Sequence, residues 1–173
     1  MRICRAKIWA ITFGMACTLA AQDSNPLMTE ARQAYSTVKY NLLMSAEKMP
    51  EENYSFRPAP RVRTFAQILG HIAEEHYLYC GAVKGEEKAV DVEKGKTAKA
   101  EVIAALKDSF AYCEAVYDGL TDATAVQMIK RGQMQRTRLW IVWGNIVHDN
   151  SHYGNLVTYM RIKGLVPPST EGQ

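Results

Sequence analysis

Two histidines stand one helical turn apart near the end of the sequence. The stretch HDNSHYGNLVTYMRIKG, residues 148–164, places His148 and His152 in an amphipathic helical pattern. Side chains four residues apart on a helix project from the same face, and imidazole is a common ligand of zinc and similar divalent metals. The pair can therefore bind one cation, but an H-x3-H spacing is frequent by chance. The hypothesis of a metal site depends on a third ligand.

The third ligand has two candidates, both in the stretch TFAQILGHIAEEHYLYCGAVKG. The remaining histidines of the chain, His71 and His76, lie there, and Glu75 is four residues after His71. On a helical wheel His76 falls near the middle of the apolar stripe, whereas His71 and Glu75 fall toward its edge. Periodicity alone allows either histidine to be the third ligand. For His76 we favour a core-edge position with one hydrogen bond, and the alternative for Glu75 is a surface acid.

Four helices must position these side chains, and no strand pattern stands out. Apolar residues recur at helical spacing over about residues 26–49, 64–84, 97–120 and 138–163. Asn25 is predicted to cap the first helix ahead of Pro26. Thr64, with Gln67 three residues later, forms a capping box for the second. Gly85 is predicted to end the second helix, and Gly164 to end the last one in a left-handed conformation.

Helices of this number and length predict an all-α protein, a four-helix bundle. The loop between the second and third helices is long enough to recross the bundle, which would make those two helices parallel. Cys80 and Cys113 would then lie at similar heights, each sixteen residues past a capping threonine, Thr64 or Thr97. For these two cysteines the sequence allows two interpretations, a disulfide or a pair of small buried apolar side chains.

The first 21 residues have the layout of a secretory signal peptide. MRICRAK is basic, IWAITFGMACTLA is apolar, and the small residues Ala20 and Ala21 precede a polar stretch. The apolar run is short for a membrane span. We predict a signal peptide at 1–21, a mature domain at 22–173 and an exported protein, periplasmic or secreted, without a stable membrane span after cleavage. The alternatives are an uncleaved anchor and a lipoprotein site at Cys17.

The net charge of the chain argues against a nucleic acid as partner. The chain of 173 residues has a formal net charge of +3 at pH 7, and its length suits one domain. Arg2, Arg5 and Lys7 account for the excess, since the first 21 residues contain no acid. The mature domain is therefore neutral overall, and we expect no nucleic-acid binding of the kind driven by basic side chains.

The helix with the histidine pair and two further stretches resemble one known family. QILGHIAEEHYLYCG is similar to the second-helix segment of the DinB-like, or DinB/YfiT-like, family, HDNSHYGNLVTYMRIKG to its last-helix segment and GLVPPS to its usual end. The similarity spans about residues 28–169. It implies an up-down-down-up bundle and a divalent metal bound by His71, His148 and His152. Tyr153 and Asn155 depart from the arginine and glutamine of many relatives, which weakens any inference about substrate contacts.

The resemblance also implies a chemistry. Zinc or nickel is the expected metal, with manganese and iron as alternatives. Three imidazoles leave an open coordination position, and zinc held in this way lowers the pKa of its water to about 7. Glu75 would act as general base or fourth ligand. The residues expected to orient the imidazole rings are Asn145, Asn155 and Tyr159.

The function we expect is metal-dependent hydrolysis of a small-molecule substrate. A thiol-dependent transferase is the first alternative, although export disfavours it because such thiols are concentrated in the cytoplasm. A non-catalytic metal-binding or stress-related module is the second. A monomer and a homodimer are both compatible with the sequence.

Overall fold

The computed structural model describes residues 23–86, 88–131 and 133–171. Four long helices form the bundle: α1 (Pro26–Lys48), α2 (Phe65–Lys84), α3 (Lys99–Gly119) and, after the short helix α4 (Asp122–Ala125), α5 (Arg138–Ile162). Two 3₁₀ turns lie at Glu51–Asn53 and Pro168–Thr170. The predicted all-α class is confirmed, whereas the predicted signal peptide lies outside the described residues.

The helix ends follow local chemistry in most places. Thr64 and Gln67 form the predicted capping box, and Gly85 ends α2 with a φ of 75°. Gly164 follows α5 with a φ of 73°, a conformation that glycine adopts without steric cost. The third helix begins two residues later than predicted, at Lys99, with Ala98 rather than Thr97 at its N-cap position.

The cap predicted for α1 is wrong in its chemistry. Asn25 occupies the N-cap position but makes no side-chain capping bond. The Asp122 carboxylate accepts hydrogen bonds from the backbone N–H groups of Leu27 and Met28 instead, and the Asn25 side chain accepts one from the backbone of Asp122. A carboxylate favours the positive end of a helix dipole, so α4 and α1 stabilise each other at this end of the bundle.

Paired contacts give the direction of each helix. His76 contacts Ser109 and Cys80 is bonded to Cys113, so both pairs are 33 residues apart and α2 runs parallel to α3. Tyr159 contacts Arg63, whereas His148 lies against Tyr79, so α5 runs antiparallel to α2.

The first helix completes the topology. Arg32, near its start, donates to the Leu120 carbonyl, and Glu47, near its end, pairs with Lys107. Therefore α1 runs antiparallel to α3, and the predicted up-down-down-up order is the one observed.

A short hairpin was not predicted. Strand β1 (Met128–Arg131) pairs antiparallel with β2 (Met134–Thr137), with Met128 opposite Thr137 and Ile129 opposite Arg136. Its strands are four residues long and contain three cations, so they lack the alternation of apolar and polar residues that marks a strand. The hairpin leads directly into α5, whose first turn is capped by the Thr137 hydroxyl.

The disulfide that the sequence left open is present between Cys80 and Cys113, with Cα atoms 5.4 Å apart. Both residues are buried between α2 and α3. Within the described residues, no helix is both long and apolar enough to cross a membrane.

Candidate metal centre

Three histidines converge between α2 and α5. His71 comes from α2, and His148 and His152 come from successive turns of α5. The ring centroids are 5.1 Å apart for His71 and His148, 4.9 Å for His71 and His152, and 4.5 Å for the pair on α5. Periodicity left His71 and His76 as alternatives, and the fold brings His71 to the pair.

The nitrogen spacing suits a shared cation. Nε2 of His71 lies 3.2 Å from Nε2 of His148, and one ring nitrogen of each of the three histidines lies within 4.8 Å of the others. Two nitrogens bound tetrahedrally to one zinc at about 2.1 Å would be about 3.4 Å apart. The three rings are partly buried and therefore form a preorganised, half-enclosed group of nitrogen donors.

A loop carboxylate holds His71 in place. Oε2 of Glu93, in the loop between α2 and α3, lies 3.3 Å from Nδ1 of His71, while Oε1 accepts a hydrogen bond of 3.0 Å from Nε of Arg63. A carboxylate on one ring nitrogen directs the other nitrogen toward a metal. The arrangement leaves Nε2 of His71 facing His148.

The loop that carries Glu93 is itself tied to α2. Oε1 of Glu74 accepts hydrogen bonds of 2.7 Å from the backbone N–H groups of Val92 and Glu93. A Cβ atom at Gly70 would lie 2.7 Å from the Glu93 Cα, so only glycine permits this approach. Glu74 also lies close enough to His71 and Glu93 to form a second ligand cluster, but its Oε1 atom already anchors the loop.

A buried network supports His148. Oδ1 of Asp149 lies 3.4 Å from Nδ1 of His148, and Oδ2 lies 2.9 Å from Nε2 of His76. The other nitrogen of His76, Nδ1, lies 2.9 Å from the Ser109 hydroxyl. His76, Ser109 and Asp149 are fully buried, so the prediction of a core-edge histidine with one hydrogen bond is wrong: His76 has two partners.

The Asp149 carboxylate carries a negative charge in this buried network. Burial raises the pKa of Asp149, but the imidazoles of His76 and His148 outweigh it and hold that pKa below the ordinary value. The carboxylate is therefore ionised. An ionised carboxylate behind His148 increases the donor strength of the opposite ring nitrogen.

His152 is the histidine most strongly biased toward its neutral form. Burial lowers its pKa first, and the imidazoles of His148 and His71 and the Arg63 guanidinium lower it further, to about 4. Burial, Arg63 and His148 lower the pKa of His71 as well. Neutral imidazole is the form that binds a metal, so these two rings are available as ligands at neutral pH.

Of the three residues predicted to hydrogen-bond to the imidazole rings, one does so. The Asn155 side-chain amide lies 3.4 Å from Nδ1 of His152. Asn145 instead contacts Tyr117 and Asp149, and the Tyr159 hydroxyl donates to the Arg63 carbonyl. The predictions for Asn145 and Tyr159 are therefore wrong.

Glu75 lies half-buried on α2. Its charge offsets only part of the effect of burial, Arg63 and His148, which together lower the pKa of His71. Among the described residues, its carboxylate does not belong to either cluster of ligand atoms. Its predicted role as general base or fourth ligand stays a prediction.

Sequence reasoning missed Glu93 and Asp149. Glu93 lies in an irregular loop, where periodicity says nothing about which carboxylate turns toward the helices. Asp149 directly follows His148 and could have been found as a charged residue on the buried side of a helix, since an acid there requires a partner.

Comparisons with known proteins agree with the fold. The profile of the DinB superfamily matches residues 34–156, so the chain belongs to the DinB superfamily, and all three histidines lie within the match. None of the curated proteins compared with the chain matches it.

Solved structures are similar in fold. A DinB-like protein from Bacillus cereus superposes with a TM-score of 0.71 at 18% identity, covering 81% of this chain and 95% of that one. A conserved protein from Enterococcus faecalis gives 0.62 at 14% identity, covering 78% and 95%. A DinB-like protein from Bacillus subtilis gives 0.60 at 18% identity, covering 78% and 92%.

Proposed function

We propose that this protein binds one divalent cation through His71, His148 and His152 and uses it to hydrolyse a small-molecule substrate. The observation that carries the proposal is the convergence of three imidazoles from two antiparallel helices, with Nε2 atoms of two of them 3.2 Å apart. Two of the rings, His71 and His152, are held neutral. Carboxylates of Glu93 and Asp149 face Nδ1 of His71 and of His148, which leaves Nε2 of those two rings for the cation.

The cation expected is zinc or nickel, because three nitrogen donors suit borderline metals; manganese and iron bind such sites more weakly. Such a cation supplies a Lewis acid that polarises a carbonyl and acidifies a coordinated water. Glu75, one turn from His71, is the carboxylate we propose as general base, accepting the proton released during attack on the substrate. A cavity beside His152 provides room for that substrate.

Metal content tests the first half of the proposal. We expect wild-type protein to retain about one zinc or nickel per chain after gel filtration, and His148→Ala to lose it. The control is Asn150→Ala, an exposed neighbour on the same helix. Equal metal content in all three proteins would refute the three-histidine site.

Turnover tests the second half. Panels of esters, amides and thiol adducts, assayed with and without chelator, should reveal hydrolysis that the chelator abolishes and that Glu75→Gln reduces by about 10²-fold or more with metal content unchanged. Turnover only on thiol adducts would indicate a thiol-dependent transferase. Bound metal without any turnover would indicate a non-catalytic metal-binding module.

We also propose export to the periplasm or the extracellular space, based on the basic and apolar residues that precede Gln22. The Cys80–Cys113 disulfide supports this compartment, since disulfides persist where the environment is oxidising. N-terminal sequencing of protein from the periplasmic and cytoplasmic fractions checks it, and a chain that keeps Met1 in the cytoplasm would contradict export.

A further inference from the structure

A cavity of about 660 Å³ opens beside His152, a size within the usual range for small-molecule sites of about 300–1,000 Å³. It lies between the segment 58–63 and the outer face of α5. The aliphatic residues of the lining are Pro58, Val62 and Ile68. The other lining residues carry a polar group: Arg61, Arg63, Glu93, His152, Asn155, Thr158 and Tyr159.

The cavity carries an excess positive charge. Its two arginines face one acid, Glu93, and that carboxylate is bound to the guanidinium of Arg63. Arg61 is exposed, and among the described residues no hydrogen bond or ion pair joins its guanidinium to a partner. One guanidinium is therefore free in a cavity whose lining includes one of the proposed metal ligands, His152.

We propose that Arg61 binds the carboxylate of the substrate, so that the protein acts on small carboxylic acids that also contain a hydrolysable ester or amide. The inference rests on the proposed function for the position of the reacting bond, which would lie at the His152 end of the cavity. Arginine presents a planar pair of N–H donors that matches the two oxygens of a carboxylate. The aliphatic residues of the lining, Pro58, Val62 and Ile68, suit the short carbon chain between the two groups.

A phosphate group would bind the same guanidinium, but its charge fits less well. The lining has a net charge of one positive unit, from two arginines and one glutamate, which equals the single negative charge of a carboxylate. A phosphate monoester carries about −1.5 to −2 at neutral pH. The charge of the lining therefore favours a carboxylate over a phosphate monoester.

Matched ligands test the proposal without requiring turnover. N-acetylglycine carries an amide and a carboxylate, and N-acetylglycinamide is its neutral counterpart. We expect the carboxylate to bind about tenfold more tightly in NMR titrations of the full mature chain, as a hydrogen bond to a charged group provides. Arg61→Gln should abolish the preference and Arg61→Lys should retain part of it. Arg57→Gln is the matched control, because Arg57 directly precedes the segment 58–63 and lies outside the cavity lining.

The titrations are made on zinc-loaded protein and again after chelation, with zinc content measured on each sample. A preference for the carboxylate that persists in Arg61→Gln, or no preference in the wild type, would overturn the inference. Tighter binding of methyl phosphate than of N-acetylglycine to the metal-free wild type would overturn the carboxylate assignment. Failure to retain zinc would refute the proposed function instead, and the metal-free titration would still decide the role of Arg61.

Discussion

The buried carboxylate of Asp149 lies against the ring of His148, with Oδ1 3.4 Å from Nδ1. Its second oxygen contacts His76, which in turn contacts Ser109. One carboxylate therefore joins a network in the core of the bundle to a histidine of the candidate metal centre. Any change that displaces Asp149 acts on both.

Replacing Asp149 with asparagine should weaken metal binding and destabilise the fold together. The variant keeps the size of the side chain but removes the charge, leaving His76 buried without its ionised partner. Loss of a carboxylate behind a ligating histidine lowers metal affinity by about 10–100-fold, and loss of a buried hydrogen bond to an ionised group costs about 2 kcal/mol. Competition with a chromophoric chelator measures the affinity, and urea denaturation of the metal-free protein measures the free energy of unfolding.

Asp118→Asn serves as the control for this variant, because Asp118 is exposed near the end of α3. Asp118→Asn should leave the zinc affinity and the free energy of unfolding unchanged within experimental error. Unchanged zinc affinity in Asp149→Asn would show that the buried network does not act on the metal centre.

The approach of the Glu93 loop to α2 predicts a cost for any side chain at Gly70. Alanine there would place its Cβ 2.7 Å from the Glu93 Cα, so the loop must move away and Glu93 must release His71. We expect Gly70→Ala to destabilise the protein by about 2 kcal/mol, the range for overpacking a close contact, and to reduce zinc affinity about tenfold.

Gly154→Ala is a matched control within α5. Apart from its chain neighbours and the backbone of its own helix, a Cβ at Gly154 meets no atom within 4 Å. Alanine in a helix interior is favoured over glycine by about 0.5–1 kcal/mol. Thermal unfolding should therefore show a lower Tm for Gly70→Ala and an equal or higher Tm for Gly154→Ala. Equal Tm values for Gly70→Ala and the wild type would refute the close approach of the loop.

The helices and several of their ends could be predicted because the signals are local. The capping box of Thr64 and Gln67 and the end of α2 at Gly85 depend on residues a few positions apart, and the structure confirms both. The Asn25 cap failed because Asp122, distant in sequence, takes its place. The hairpin escaped prediction because it is short and polar.

In the candidate site, too, contacts set by local spacing could be predicted, whereas contacts set by tertiary packing could not. The spacing of His148 and His152 predicts that they share a face, and the structure brings their rings to within 4.5 Å between centroids. The choice between His71 and His76 needed the packing of α2 against α3 as well as α5, because that packing buries His76 against Ser109. Glu93 contacts His71 because the loop between α2 and α3 folds back onto α2. Periodicity in the sequence does not predict such a contact.

The disulfide between α2 and α3 should contribute to stability. Cys80 and Cys113 are 33 residues apart, and crosslinks over loops of this length typically stabilise by about 2–4 kcal/mol by restricting the unfolded chain. We expect reductant to lower the free energy of unfolding of the wild type by that amount and to leave the double variant Cys80→Ala, Cys113→Ala unaffected. Alkylation of the mature protein without reductant, followed by mass spectrometry, checks the bond directly: two alkylated thiols would contradict it.

The lowered pKa of His152 predicts acid sensitivity of the metal-free protein. The imidazole has a pKa of about 4 in the folded chain against an ordinary value of 6.5. Between these values the unfolded state binds more protons than the folded state, so the free energy of unfolding increases with pH across this window. The full stability is present above pH 6.5 and is lost progressively as the pH falls toward 4. With allowance for partial exposure, we expect His152 to account for a loss of about 2 kcal/mol.

Urea denaturation in the presence of chelator, at intervals from pH 7.5 to pH 4.5, measures this loss in the wild type and in His152→Gln. The variant should lose less stability over the same range, although some loss should remain because the pKa of His71 is also lowered. Asn150→Gln, between His148 and His152 in sequence but on the exposed side of α5, should follow the wild type. Parallel curves for His152→Gln and the wild type would mean that His152 titrates near its ordinary pKa, and the crowding of imidazoles and Arg63 around it would then not determine its protonation.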